Sequence, residues 1–238
     1  MRKGVKRLII IGVILFAIGL IGGGIAFAVG LTTGSLPRGR WGYFRDFGVH
    51  IEKTYEADTI RRVEVDMGAG QVEICRGDQF SIYGEGLYTN FRNEVVDGTW
   101  YIGQSEDRGF WDFFGAAGEV VLTIPEDVVL SEVVLSVGAG ELDAEVVHAG
   151  QLTISCGAGQ ISVEEAKAEQ IDVTCGVGEV DLSLCGKESD YHPNVSCSVG
   201  KVTIGEHKYS ERHHDTHGAN ANLNVYCGVG NVEISFLP

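Results

Sequence analysis

Residues 152–182 read LTISCGAGQISVEEAKAEQIDVTCGVGEVDL, and within them one unit, Φ-x-Φ-x-Φ-G-Φ-G-x-Φ-x-Φ with Φ apolar, occurs twice, 19 residues apart. Alternation with a period of two gives a strand one face for a core and one for water. With the second glycine as reference, apolar residues fall one, three, five and usually seven positions before it, and two and four after it. Parity flips at the glycine, so each unit is two short strands joined at a corner. Gly-x-Gly supplies the close approach or backbone freedom that a sharp corner needs.

Outward from this stretch the unit recurs, giving six copies: VEVDMGAGQVEI ending at Ile74, VVLSVGAGELDA from Val133, the two above from Leu152 and Ile171, PNVSCSVGKVTI from Pro193 and LNVYCGVGNVEI from Leu223. The corner glycines are Gly68 and Gly70, Gly138 and Gly140, Gly157 and Gly159, Gly176 and Gly178, Gly200 alone, and Gly228 and Gly230. From Gly140 onward the reference glycines are 19, 19, 22 and 30 residues apart, which marks a repeat array whose later loops have grown. No copy can bury its apolar face alone. The expected fold is all-β: a β-solenoid, a single β-helix-like stack of rungs of about 19 residues.

Stacking consecutive copies would align equivalent positions into columns. Three before the glycine stand Met67, Val137, Cys156, Cys175, Cys197 and Cys227; one before it stand Ala69, Ala139, Ala158, Val177, Val199 and Val229. Ser136, Ser155, Thr174 and Ser196 make a hydroxyl column. Glu73, Asp143, Ser162, Asp181, Thr203 and Glu233 would set hydroxyls between neighbouring acids, as repulsion between like charges requires.

Residues 8–31 are uncharged and nearly all apolar, long enough to cross a bilayer as a transmembrane helix. Arg2, Lys3, Lys6 and Arg7 precede them, which places residues 1–7 in the cytoplasm and the repeats outside the cell membrane. A cleaved signal peptide, with Ala26-Phe27-Ala28 at its end, is the rival reading, and the length of the apolar run favours a retained single-pass anchor. Residues 32–58 read as a linker and 59–238 as the external repeat domain. Beyond the span stand 14 Lys and Arg against 33 Asp and Glu, about −19, a surface that repels phosphate backbones and excludes nucleic-acid partners. Between the first two copies, FSIYGEGL, TWYIG and EVVLTIPE have strand character and would build less regular first coils. The aromatic run GFWDFFGAAGE, residues 109–119, fits a cap over the end of the core.

Candidate chemistry is sparse. A strand, not a helix, follows every Gly-x-Gly, which excludes a dinucleotide loop, and no cofactor is implied. Cys156, Cys175, Cys197 and Cys227 are expected as a buried column; disulfides or a metal are the alternatives, and Met67 and Val137 in the same column favour simple packing. Cys75 and Cys185 should face outward or into loops, with no evident partner. His213, His214, Asp215 and His217 crowd one enlarged loop and form a candidate zinc site, against the plainer reading of a solvated polar loop. The pairs Glu141/Asp143 and Glu179/Asp181 could serve a calcium-assisted β-helix hydrolase or lyase, but no Ser-His or Cys-His pair is evident beside them.

The strings VEVDMGAGQVEI, VVLSVGAGELDA, CGAGQISV, CGVGEVDL and CGVGNVEISF, with KTYE near Thr54, EGLYTNF through TWYI, the W-x-x-F-G run at residues 111–115 and KYS at Lys208, resemble the bacterial β-strand-repeat family labelled "putative adhesin" of Gram-positive envelopes. The likeness covers about residues 50–238. It implies a repeat domain behind a single membrane span, and some members are similar to proteins encoded with envelope-stress regulators of the Lia and phage-shock type. The histidine-rich loop is not part of that pattern. The expected function is a non-enzymatic, membrane-anchored envelope module that binds a protein or wall component in adhesion or stress signalling. A carbohydrate-active enzyme and a structural spacer are the other classes. The last copy, taken as the uncovered end of the stack, would invite self-association through its strand edges.

Overall fold

The structure, a computed structural model, describes residues 49–87, 91–104, 118–209, 213–214 and 221–238. The expected membrane span and the aromatic run up to Ala117 lie outside the described residues. The described residues form sixteen strands in one sheet. In chain order they are β1 Val49–Tyr55, β2 Arg62–Gly77, β3 Phe80–Leu87, β4 Phe91–Val96, β5 Thr99–Gln104, β6 Gly118–Pro125, β7 Leu130–Cys156 and β8 Gln160–Lys167. Then come β9 Gln170–Cys175, β10 Glu179–Cys185, β11 Tyr191–Cys197, β12 Lys201–Ile204, β13 His207–Tyr209, β14 His213–His214, β15 Ala221–Cys227 and β16 Asn231–Leu237.

Each copy is a rung of two arms meeting at the glycine corner, and rungs pair in parallel register: Gly70 opposes Gly140, and Cys156 opposes Cys175. The strand β7 runs through both arms of rung 2 and into rung 3, which stacks on rung 2 through Gly157 N–H to Val137 O and Ala158 N–H to Gly138 O, both 2.8 Å. The inward residues of both arms, among them Leu135, Leu142, Ile154, Ile161, Val173 and Leu182, share one continuous apolar core. Among the described residues that core holds no buried charged or polar side chain.

The stacking order departs from the sequence order. Rung 6 lies between rungs 4 and 5: β15 pairs with β9 on one side and β11 on the other, and β16 pairs with β10 and β12. The cysteine column therefore runs Cys156, Cys175, Cys227, Cys197. At the other end β5 and β6 follow rung 1 in sequence but flank it in space, so that β2 lies between them and β7. The first and last copies are both internal.

Three expectations are corrected by this arrangement. The C-terminal copy is not an uncovered end, since both edges of each of its arms are hydrogen-bonded. The outer rung is the fifth, and short antiparallel strands cover part of it, β13 on β12 and β14 on β11. The proposed alternation of acids and hydroxyls also fails, because Glu73 lies directly beside Asp143 and Asp181 directly beside Glu233. Finally, β1 lies within the stretch read as linker, yet it pairs antiparallel with β3.

The N-terminal end is closed by Trp100, fully buried, whose ring lies 5.1 Å from Tyr55 and 6.0 Å from Phe80. Asn93 on β4 accepts from both Trp100 Nε1–H (2.9 Å) and the Tyr55 hydroxyl (2.7 Å). Antiparallel hairpins at both ends thus blunt the edges that a parallel stack would leave open.

The corner explains the C-G-x-G motif. In rungs 3, 4 and 6 the thiols of Cys156, Cys175 and Cys227 donate to the carbonyl of the glycine three residues on, at 3.0–3.1 Å. The second glycine of each following rung lies over that sulfur: a Cβ on Gly178 would fall 2.6 Å from Cys156 Sγ, and one on Gly230 2.5 Å from Cys175 Sγ. All six cysteines are free thiols. Burial, with Cys197 beside it, pushes the Cys227 thiol up to about 11, so it stays protonated at neutral pH.

Candidate functional site

Stacked corners make a trough. Its floor is the glycine backbone, and it crosses rungs 1, 2, 3, 4 and 6 with a volume of about 980 Å³. At roughly 4.8 Å per rung, five rungs span about 19 Å. One wall is the column before the glycine, including Ala69, Ala139, Val177 and Val229; the other is Gln71, Glu141, Gln160, Glu179 and Asn231.

The sequence pattern placed that first wall in the core. Instead Val177, Val229 and Val199 are 55%, 43% and 54% exposed, and they follow one another on rungs 4, 6 and 5. The parity flip occurs at the residue between the two glycines, which the turn of the chain pushes outward. The opposite wall is ordered by side-chain bonds, with Asn231 Nδ2 donating to Glu179 Oε1 at 2.8 Å. A second ladder lies on the outer face of the other arm: Asn194 Nδ2 donates to Asn224 Oδ1 (3.2 Å) and Asn224 Nδ2 to Asp172 Oδ1 (2.8 Å). The trough is therefore a linear site, apolar on one side and amide and carboxylate on the other.

The acid pairs belong to two separate clusters of like charge, one across rungs 1 and 2 and one across rungs 4 and 6, with Gln160 and Ser162 of rung 3 between them. Burial, then Glu141 and Glu73, raise the Asp143 carboxyl above its ordinary range; burial, then Glu179 and Glu233, do the same for Asp181.

One constellation was missed at the sequence level. His148 at the end of rung 2, Glu165 on rung 3 and Cys185 on rung 4 bring their donor atoms within 4.8 Å of one another. A Cys-His pair thus exists where none was evident. It is not arranged as a nucleophile and base: His148 Nε2 is engaged by Glu165 Oε1 at 3.1 Å. Burial and the Glu165 carboxylate push the Cys185 thiol up, whereas an attacking thiol needs the opposite shift. Burial alone would raise Glu165, but the hydrogen bond from His148 and the Arg76 charge outweigh it and hold its carboxyl low. Cys75, also expected to stand alone, has its thiol raised to about 11 by burial and Glu73.

Of the histidine-rich loop, His213 and His214 form β14 and pair with Val195 and Asn194. Asp215 and His217 lie outside the described residues.

A parallel stack of two-armed rungs with open side-chain ladders defines a repeat scaffold. The sequence profile of the family described as Toastrack DUF4097 matches residues 60–188, more than half of the chain, and the chain belongs to that family. Among solved structures, a putative cell adhesion protein from Clostridium sporogenes ATCC 15579 is 17% identical over 80% of this chain and 100% of its own, with a TM-score of 0.54. A putative adhesin from Bacteroides fragilis NCTC 9343 is 12% identical over 78% of this chain and 97% of its own, with a TM-score of 0.36. A putative lipid binding protein from Parabacteroides distasonis ATCC 8503 is 12% identical over 80% of this chain and 97% of its own, with a TM-score of 0.38. The first of these likenesses bears on fold alone. No curated protein matches the chain.

Proposed function

We propose that this protein is a non-enzymatic, membrane-anchored module of the cell envelope that binds a protein or wall component through its solenoid, in adhesion or stress signalling. The observation that carries the reading is the trough, whose two walls repeat the same chemistry from rung to rung. A repeating wall suits an extended chain laid along the stack, with apolar groups on Val177 and Val229 and polar groups on Glu179 and Asn231. The adhesion named for the Clostridium sporogenes protein fits this reading. The apolar run at residues 8–31 supplies the anchor, and the basic residues before it set the orientation.

The test is a photo-cross-linking amino acid at Val177 in intact cells. The expected result is one dominant adduct that disappears when Val229→Asp is added, while the same probe at Val129, 72% exposed and off the trough, gives none. A probe at Val177 that captures nothing, or an adduct indifferent to Val229→Asp, would overturn the reading in favour of a spacer.

A further inference from the structure

Beyond the glycine corner, the second arms of rungs 2, 3 and 4 end in a cluster that neither the trough nor the core requires. We propose that His148, Glu165 and Cys185 bind a divalent metal ion of the zinc class, clasping three neighbouring rungs.

The donor set is an imidazole nitrogen, a carboxylate oxygen and a thiolate sulfur, which are ligands of zinc and similar borderline ions and not of calcium or magnesium. Around zinc, with bonds of about 2.0–2.3 Å, tetrahedral ligand atoms stand roughly 3.3–3.7 Å apart. His148 Nε2 and Glu165 Oε1 are already 3.1 Å apart, and all three donors fall within 4.8 Å. Small side-chain rotations close the site. His148 and Glu165 are 28% and 32% exposed, so the fourth position opens to water.

The local backbone is built to bring Glu165 there. Register between β8 and β10 slips between Leu182 and Leu184, since Val163 opposes Leu182 but Ala166 opposes Leu184. Two residues of β8, Glu164 and Glu165, thus face the single residue Ser183. Such a bulge re-aims a side chain, and here it turns Glu165 toward rungs 2 and 4. Arg76 on rung 1 takes the second carboxylate oxygen, Oε2, at 3.1 Å. That contact fixes the carboxylate's orientation and leaves Oε1 for a ligand bond, the usual part of an outer partner in a metal site. Binding releases the Cys185 thiol proton to solvent, driven by the charge of the ion, and takes the neutral His148 tautomer with its ring proton on Nδ1, so that Nε2 exchanges its bond to Glu165 for the ion.

The experiment is a Co²⁺ titration of the full chain in detergent micelles under reductant, followed by absorption, with Zn²⁺ as competitor. The expected result is a sulfur-to-cobalt charge-transfer band that saturates at one equivalent and is bleached by Zn²⁺. The band is lost in Cys185→Ser, and cobalt affinity falls at least about tenfold in His148→Gln. It is unchanged in Cys75→Ser and in His213→Ala/His217→Ala, which separates this site from the other thiol and from the histidine-rich loop. Zn²⁺ also raises the melting temperature of the wild type but not of Cys185→Ser. Absence of the band, or a band of full strength in Cys185→Ser, overturns the proposal.

Discussion

Replacing Gly178 by alanine isolates the corner packing on which the stack depends. The backbone there is open to any residue, so the cost is steric. The new Cβ would overlap the carbonyl oxygen of Gly159 and lie 2.6 Å from Cys156 Sγ on the rung below. That carbonyl cannot move away freely, because it accepts from Glu179 N–H at 3.0 Å and from the Cys156 thiol at 3.0 Å. Rungs 3 and 4 must separate locally. Overpacking of this kind costs about 1–3 kcal/mol, and a weakened inter-rung hydrogen bond adds about 0.5–1.5 kcal/mol. For a domain of this size each kcal/mol lowers the melting temperature by about 2–4 °C, so the midpoint of thermal unfolding followed by circular dichroism should fall by roughly 3–18 °C. The neighbouring Val177→Ala, on the exposed wall, should change stability by less than about 0.5 kcal/mol. A Gly178→Ala protein that melts within about 2 °C of the wild type would refute the reasoning.

Trp100→Ala should cost about 3–5 kcal/mol, since it empties the aromatic closure of the N-terminal end and removes one donor to Asn93; a denaturant titration measures it. Asp181→Asn should stabilise the fold at neutral pH by about 0.2–1 kcal/mol through relief of like charges side by side, seen as a higher melting temperature. The sign follows from its raised carboxyl: the folded state holds the proton more tightly than the unfolded chain, so stability is lost as pH rises through the folded-state value. The advantage of Asn should therefore vanish below about pH 4, where the unfolded Asp is protonated too. Deleting residues 221–238 should leave rungs 4 and 5 with unpaired parallel edges, and light scattering should show self-association absent from the full chain.

The rungs were legible because the pattern that makes them is local. Alternation on either side of Gly-x-Gly gave both arms, the corner and the cysteine column, and each of these is present. The stacking order was not legible, because a column of equivalent positions fits its neighbours equally well whichever rung comes next. Weak signs existed. Asp172, Asn224 and Asn194 form an amide ladder only when rung 6 lies between rungs 4 and 5, and the spacing of 30 residues before Gly230 gives the chain length to return to that slot. The exposure of Val177, Val199 and Val229 ran against pattern because the corner, unlike the arms, has no side facing the core. Glu165 was hidden by the bulge, since period-two counting fails where one strand carries an extra residue.

The order of the rungs is tested most directly by paired cysteines on the outer face of the first arm, with cross-linked peptides mapped by mass spectrometry. Asp172→Cys with Asn224→Cys places the two residues opposite each other on adjacent strands, within disulfide reach, and should cross-link rapidly within one chain. Asp172→Cys with Asn194→Cys spans two strand spacings, roughly 9.6 Å, beyond the limit of about 7 Å, and should not. Cross-linking of residues 172 and 194 without that of 172 and 224 would mean that the copies stack in the order of the sequence, and would contradict the account.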